Sequence, residues 1–309
     1  MGTRIYTVGE TVLDIIFKGR QPMAASPGGS SFNAAISLGR LGAPVSFISE
    51  LGHDRVGDII MDFLRANHVD AWISRYASGN SALALAFLNE KSDAEYQFYK
   101  DYPHQRLAIG FPSFVPGDLL MFGSFYALNP GIRPRIVELL EKAKREGALI
   151  AYDPNFRSSH LHERDSLLSA IRENMGFASL VRASDEDMYN IFGAEDADAA
   201  WEAVKSHCQL LIYTASSQGV YLKSPSLSLY FPVEGIDPIS TIGAGDTFNA
   251  GILYGMHQMG CRAGDLLTLS AGDWTEIVKD AMAFSKEVCL SYDNYLPESF
   301  VKQYKNRLK

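Results

Sequence analysis

From about Gly110 onward the chain repeats one unit: a short apolar run, a polar break, then a segment with apolar residues at helical spacing. Asp118-Leu119-Leu120-Met121-Phe122 reads as a buried strand. Ile136, Leu139, Leu140 and Ala143 follow at helical spacing, and Gly147 closes that helix. Leu149-Ile150-Ala151-Tyr152, Leu180-Val181 and Leu210-Leu211-Ile212-Tyr213 are the next strands, with helical stretches between them. Apolar runs alternating with helices predict a doubly wound, mainly parallel α/β sheet with helices on both faces. Ligands of such sheets bind beyond the carboxyl ends of the strands. Asp153, Ser184 and Thr214 each lie just after one of these runs, so all three are expected along one edge.

The 309 residues, 47% of them hydrophobic, can bury a full core as one large domain or one with a small appendage. Acidic residues outnumber basic ones, 36 to 28, for a formal charge of −8. No basic stripe interrupts that balance, which argues against nucleic acid as a partner. Any site for phosphorylated anions must therefore draw its positive potential from backbone amides, a metal and a few arginines. Cys208, Cys261 and Cys289 are far apart and form neither a disulfide framework nor a metal pattern. Arg4-Ile5-Tyr6-Thr7-Val8 reads directly as a strand, so no leader is expected ahead of it. No apolar run approaches the roughly 20 residues of a membrane span. A cytoplasmic location is the expectation, with no membrane contact.

One region departs from the rhythm. Residues 81–99 read as a hairpin: Leu83, Leu85 and Phe87 alternate, a polar turn Asn89-Glu90-Lys91-Ser92-Asp93 follows, then Tyr96 and Phe98 alternate. Ala82, Ala84 and Ala86 make the other face of the first strand apolar too, so it must be covered twice. One face is suited to close over a ligand and the other to meet a partner subunit; an ordinary two-layer core strand fits as well.

The chemistry concentrates at two places. Ser240-Thr241-Ile242-Gly243-Ala244-Gly245-Asp246 runs into a helix, and its small residues let backbone N–H groups approach an anion at the helix N-terminus. Asp246 would repel a phosphate there unless it takes a proton from a hydroxyl that attacks the phosphate. The plain alternative is close packing with Asp246 as a cap. Near the other end, Asp14 follows the first strand, and Pro27-Gly28-Gly29-Ser30-Ser31-Phe32-Asn33 leads into a helix. Acids and amides around a Gly28-Gly29 surface suit the hydroxyls of a neutral sugar. Gly-x-Gly-x-x-Gly after the first strand, a Walker loop and a Gly-x-Ser-x-Gly elbow are all missing from the sequence. His160 and His162, two residues apart in a polar segment, do not read as a zinc site.

Taken in order, five pieces resemble the ribokinase/PfkB family of sugar kinases. They are Asp14, Gly28-Gly29-Ser30-x-x-Asn33-x-Ala35, Gly52-x-Asp54-x-x-Gly57, Asp153-Pro154-Asn155-Phe156-Arg157 and Gly243-Ala244-Gly245-Asp246. Gly9-Glu10-x-x-x-Asp14, the segment ending Phe98-Tyr99-Lys100-Asp101, and Asp153-x-Asn155-x-Arg157 look most like fructokinases. The resemblance implies a ribokinase-like core over residues 1–13, 26–75 and 104–309, with a small β-sheet lid from 14–25 and 76–103. In the family such a lid is often a homodimer contact. The resemblance also implies ATP as donor with Mg2+. Asp246 would be the base, Gly243, Ala244 and Gly245 the anion hole, and Asp14, Gly28, Gly29, Asn33 and Arg157 the sugar site. Arg182, Ser184, Thr214, Ser216 and Gly219 would border the nucleotide, and Asp187 would hold the metal through water.

The pattern is not complete. Where the family usually has an Asp that ligates a monovalent cation, this chain has Ser240, which puts potassium activation in doubt. Ser184-Asp185-Glu186-Asp187 stands for Asn-x-x-Glu, with Asp187 one methylene short and Glu186 beside it. Ser216 replaces the first glycine of Thr-x-Gly-x-x-Gly, and Arg182 stands where Lys is common. These changes keep open a sugar-binding sensor on the same scaffold, or a family kinase for ribose, a sugar acid or a nucleoside. The expected activity is ATP-dependent phosphorylation of a small sugar, fructose or a related ketohexose.

Overall fold

The computed structural model describes residues 2–88 and 94–307. Its N-terminal half holds strands Ile5–Val8 (β1), Val12–Lys18 (β2), Gln21–Gly28 (β3), Val45–Gly52 (β4), Asp70–Tyr76 (β5), Asn80–Leu88 (β6) and Ala94–Asp101 (β7). Leu119–Gly123 (β8), Leu149–Asp153 (β9), Leu180–Ser184 (β10), Leu211–Thr214 (β11), Val220–Lys223 (β12) and Ser228–Phe231 (β13) follow. Helices Ser30–Leu41 (α1), Arg55–Ala66 (α2), Arg133–Arg145 (α3), Arg164–Phe177 (α4) and Asp185–Phe192 (α5) come first. Ala197–Val204 (α6), Ala244–Gln258 (α7), Ala271–Cys289 (α8) and Glu298–Arg307 (α9) complete the set among the described residues.

Nine strands form one sheet in the order β13-β12-β11-β10-β9-β8-β1-β4-β5. From β11 to β5 every pairing is parallel, and only the β11-β12-β13 edge turns antiparallel. That edge was not evident from the apolar rhythm, because β12 and β13 are short and alternate in burial. Strand order reverses at β1, which lies between β8 and β4; a crevice opens at such a switch.

Period-two alternation sends Ile5, Leu119 and Met121 to one side of the sheet, and Tyr6, Val8, Leu120 and Phe122 to the other. The first side packs under α1, α7 and α8; the second under α3, α4, α5 and α6. Helix α3 shows how the local sequence builds these layers. Pro134 occupies its first turn, where a missing N–H costs nothing, and Ile136, Leu139, Leu140 and Ala143 form the buried stripe. Gly147, at φ 83°, then allows the chain to turn directly into β9.

A second, four-stranded sheet runs β3-β2-β6-β7. Its first two strands extend beyond the 14–25 segment expected from the sequence, since Val12 still pairs with Gly28. Register places Asp14 opposite Ala84 and Ile16 opposite Ala86, while Leu13, Ile15 and Phe17 face Leu83, Leu85 and Phe87. The alanine face is the covered one. Ala82, Ala84 and Ala86 are buried, whereas Phe87 is 38% exposed and Tyr99 49%. The expected turn at 89–93 and the Tyr96 side chain lie outside the described residues.

Candidate active site

Asp246 lies in the first turn of α7 and meets the first turn of α1. Its Oδ1 accepts from Ser30 Oγ at 2.6 Å and its Oδ2 from Asn33 Nδ2 at 2.8 Å. Ser30 and Asn33 are three residues apart on a helix, so both point the same way. Their helix starts at Gly29, whose φ of 131° suits glycine and whose added Cβ would collide with the Glu10 carbonyl. An added Cβ on Gly28 would collide with the Asp14 carboxylate. The two glycines thus set the backbone flush against Asp14 and Glu10, forming a shallow cradle beside Asp246. One acceptor remains in it: Asn33 Oδ1 is buried and has no partner among the described residues.

Electrostatics favour bases here. Burial pushes Asp14 up to about 6. Burial also raises Asp246, opposed by its bonds from Ser30 and Asn33; the Asp153 charge adds to the rise and Arg157 opposes it.

On the opposite side Asp246 borders a cleft of ≈ 530 Å³, which is also lined by Arg157, Arg182, Thr214, Ser216 and Gly219. Gly243, Ala244 and Gly245 form its floor. Gly243 (φ 81°) caps α7; the Ala244 amide already donates to the Thr241 carbonyl at 3.3 Å, and the other first-turn amides have no carbonyl one turn earlier in the helix. Arg182 crosses the strand ends: Nη1 donates to Asp153 Oδ2 at 3.1 Å and Nη2 to Thr214 Oγ1 at 2.7 Å. It lies so close to α7 that a Cβ on Gly245 would stand 2.9 Å from Nη1. Asp153, Ser184 and Thr214 close β9, β10 and β11, as the apolar rhythm implied.

In the structure Asp187 serves as a cap and an anchor. Its Oδ2 accepts from the Ser184 amide and hydroxyl, at 2.8 and 2.6 Å, in a capping box for α5. Its Oδ1 accepts from the Phe156 amide at 2.6 Å and so anchors the loop that carries Asn155 and Arg157. With both oxygens engaged, Asp187 suits a metal's water shell better than direct ligation. No group of three or more His, Cys, Asp or Glu side chains that could hold a metal occurs among the described residues. An anion's phosphates do fit the cleft, since glycines, helix amides and a guanidinium converge on it.

Several contributing residues carry no obvious signal in the sequence. Asn249, one turn after Asp246, donates to Asp153 Oδ2 at 2.5 Å. Its spacing from Asp246 was a usable clue. Glu10 takes Lys100 at 2.7 Å and the Tyr102 hydroxyl, which ties the end of β7 to the loop after β1. Arg106 stacks on Tyr102 at 3.7 Å and pairs with the buried Glu50. Nothing local in the sequence joins Glu10, Glu50, Lys100, Tyr102 and Arg106.

A wound sheet with a second small sheet over its carboxyl edge is the ribokinase-like architecture. Vibrio cholerae O395 fructokinase, a double mutant crystallised with fructose, ADP and potassium, superposes at TM-score 0.82; the match covers 98% of each chain at 21% identity. The chain also matches the pfkB family carbohydrate kinase model over residues 3–299, and it belongs to that family. A Rhizobium leguminosarum bv. trifolii fructokinase is 30% identical over 81% of this chain and 78% of its own. An aminoimidazole riboside kinase from Salmonella typhimurium is 27% identical over 84% of this chain and 82% of its own.

Proposed function

We propose that this carbohydrate kinase transfers the terminal phosphoryl group of ATP to a hydroxyl of a small sugar, fructose or a related ketohexose. The observation that carries the reading is the place of Asp246, bonded to Ser30 and Asn33 on one side and open to the anion-suited cleft on the other. The sugar lies in the cradle of Asp14, Gly28, Gly29 and Asn33, with the unpaired Asn33 Oδ1 accepting one hydroxyl. Asp246 takes the proton of the attacking hydroxyl as its oxygen bonds to phosphorus and the bond to the ADP oxygen breaks. Arg182, Arg157 and the amides of Gly243 to Gly245 hold the charge on the transferred group. Ser184, Thr214, Ser216 and Gly219 border the nucleotide. Magnesium, when bound, neutralises phosphate oxygens, with Asp187 holding it through water and Glu186 beside it. The small sheet shields the cradle from water, which would otherwise compete as acceptor.

The half-exposed face of that sheet, with Phe87 and Tyr99, is the proposed homodimer contact. No helix among the described residues is long and apolar enough to cross a membrane. A coupled ADP-release assay over fructose, ribose, aminoimidazole riboside and a sugar acid tests the reading. Fructose should give the highest kcat/KM. Binding of a sugar without ADP release from any of them sinks the kinase reading in favour of a sensor.

A further inference from the structure

The segment leading into α7 is fastened by its own hydrogen bonds. The amides of Ile239 and Ser240 both donate to the Cys289 carbonyl at the end of α8, at 2.8 and 3.3 Å. Ser240 then turns back on the segment, its Oγ accepting from the Ile242 amide at 3.2 Å. On the other flank, Gly243 lies against the Asn294 backbone so closely that an added Cβ would collide with it. Residues 239–243 are therefore held between the end of α8 and the loop beyond it by backbone groups and one hydroxyl.

The family pattern implies a carboxylate at position 240 that ligates a monovalent cation, and the donors present do not fit that ion. A monovalent cation sheds its water only where several oxygens of sufficient field strength replace it. Ser240 brings no charge, and its oxygen already accepts an N–H. The Cys289 carbonyl already accepts two. Asp237 and Asp293, close in sequence to Ser240 and Cys289, are both exposed, where water competes for any ion they attract; Glu287, two residues before Cys289 on α8, is half-buried and is the one nearby acid not fully open to water.

We infer that the loop forming the anion hole of this chain is fixed without a monovalent cation, and that nucleotide binding does not draw on one. The second half of that statement rests on the function proposed above; the first half does not. Wild type and Ser240→Asp are compared at equal ionic strength with potassium, sodium or tetramethylammonium as the sole monovalent cation. Thermal unfolding is read without nucleotide, and ADP–Mg affinity by calorimetry. Wild type should melt within ~1 °C and bind ADP within about twofold across the three cations, since a ligand that does not bind cannot shift either quantity. Ser240→Asp should bind ADP at least about fivefold tighter in potassium than in tetramethylammonium. A wild type that binds about tenfold tighter in potassium, or melts several degrees higher there, overturns the inference. A folded Ser240→Asp that ignores potassium overturns the assignment to this position. Failure to bind ADP in any buffer counts against the donor reading of the cleft, and the melting comparison still decides the loop.

Discussion

The side-chain amide of Asn33 donates to Asp246 Oδ2 at 2.8 Å across 213 residues of chain, and its own oxygen stays buried with no partner among the described residues. One residue thus orients the candidate base with its nitrogen and offers an acceptor to a hydroxyl with its oxygen. This couples the packing of α1 on α7 to the chemistry, because any slip between the helices would separate the two groups.

Asp246→Asn should lower kcat by ~10²–10⁴, the usual contribution of a positioned base, because an amide cannot take the hydroxyl proton. The substitution is isosteric: its oxygen can accept from Asn33 Nδ2 while its amide donates to the Ser30 hydroxyl, and space for the sugar is kept, so calorimetric sugar affinity should change little. Wild-type turnover in this variant would place the base elsewhere.

Asp14 gives a pH signature in stability. Its folded-state value of about 6 stands above the ordinary 3.8, so the ionised form is disfavoured by folding. The protonated form's advantage is complete below the ordinary value and is lost as the pH rises through the folded one. Asp14→Asn removes that penalty. At pH 8 it should melt higher by roughly 2 °C, with the gain shrinking below about pH 6 and vanishing near pH 4. Sugar affinity should fall in the same variant, since the carboxylate proposed to accept from two hydroxyls is gone. A melting difference independent of pH would show that the carboxyl is not desolvated.

The parallel core was legible because its strands are apolar on both faces and its helices carry clean stripes, as in β8, α3 and β9. The positions of Asp153, Ser184 and Thr214 followed from where those apolar runs end. The meeting of Ser30 with Asp246 was not legible, because it depends on how α1 and α7 cross, and no local pattern encodes that angle. The small sheet shows a different limit. With alanines on one face of β6 and Leu83, Leu85 and Phe87 on the other, hydrophobicity alone ranks the larger face as the buried one. The structure buries the alanines instead, because that face also carries Val12 and Asp14 and turns toward the body of the protein. Asp187 illustrates a third limit: a carboxylate read from the sequence as a metal residue completes a capping box and anchors the Phe156 amide, which only geometry shows.

Ser216 keeps a glycine's backbone without being one. Its φ of 46° lies in the left-handed region, and it lines the cleft. Relief of that strain in Ser216→Gly is offset by the added freedom of the unfolded chain, so the melting point should move by less than ~2 °C. ATP should bind more tightly once the Cβ and hydroxyl no longer crowd the phosphates. Ser216→Val should lose ~1–3 kcal/mol, since a β-branched residue tolerates this region poorly. Denaturation midpoints and ATP affinities for the pair check both statements; a stable Val variant would mean the loop rearranges at no cost.

Arg182 is both a cleft residue and the counter-charge of a buried acid, and the two duties can be separated. Its side chain is 12% exposed and that of Asp153 4%, so their 3.1 Å pair is largely withdrawn from water. Arg182→Met strips Asp153 of its one ion-pair partner among the described residues, leaving it the Asn249 side chain at 2.5 Å and the Asn155 amide at 3.0 Å. Those two donors keep the cost below the 3–5 kcal/mol of a fully abandoned buried charge, so about 2–3 kcal/mol is expected from chemical denaturation. Adding Asp153→Asn should return much of that loss, because removing both charges abolishes the unpaired one. The KM for ATP should nonetheless stay about tenfold high in the double variant, since nothing replaces the guanidinium beside Gly245. Recovery of ATP KM together with stability would show that Arg182 serves only to neutralise Asp153.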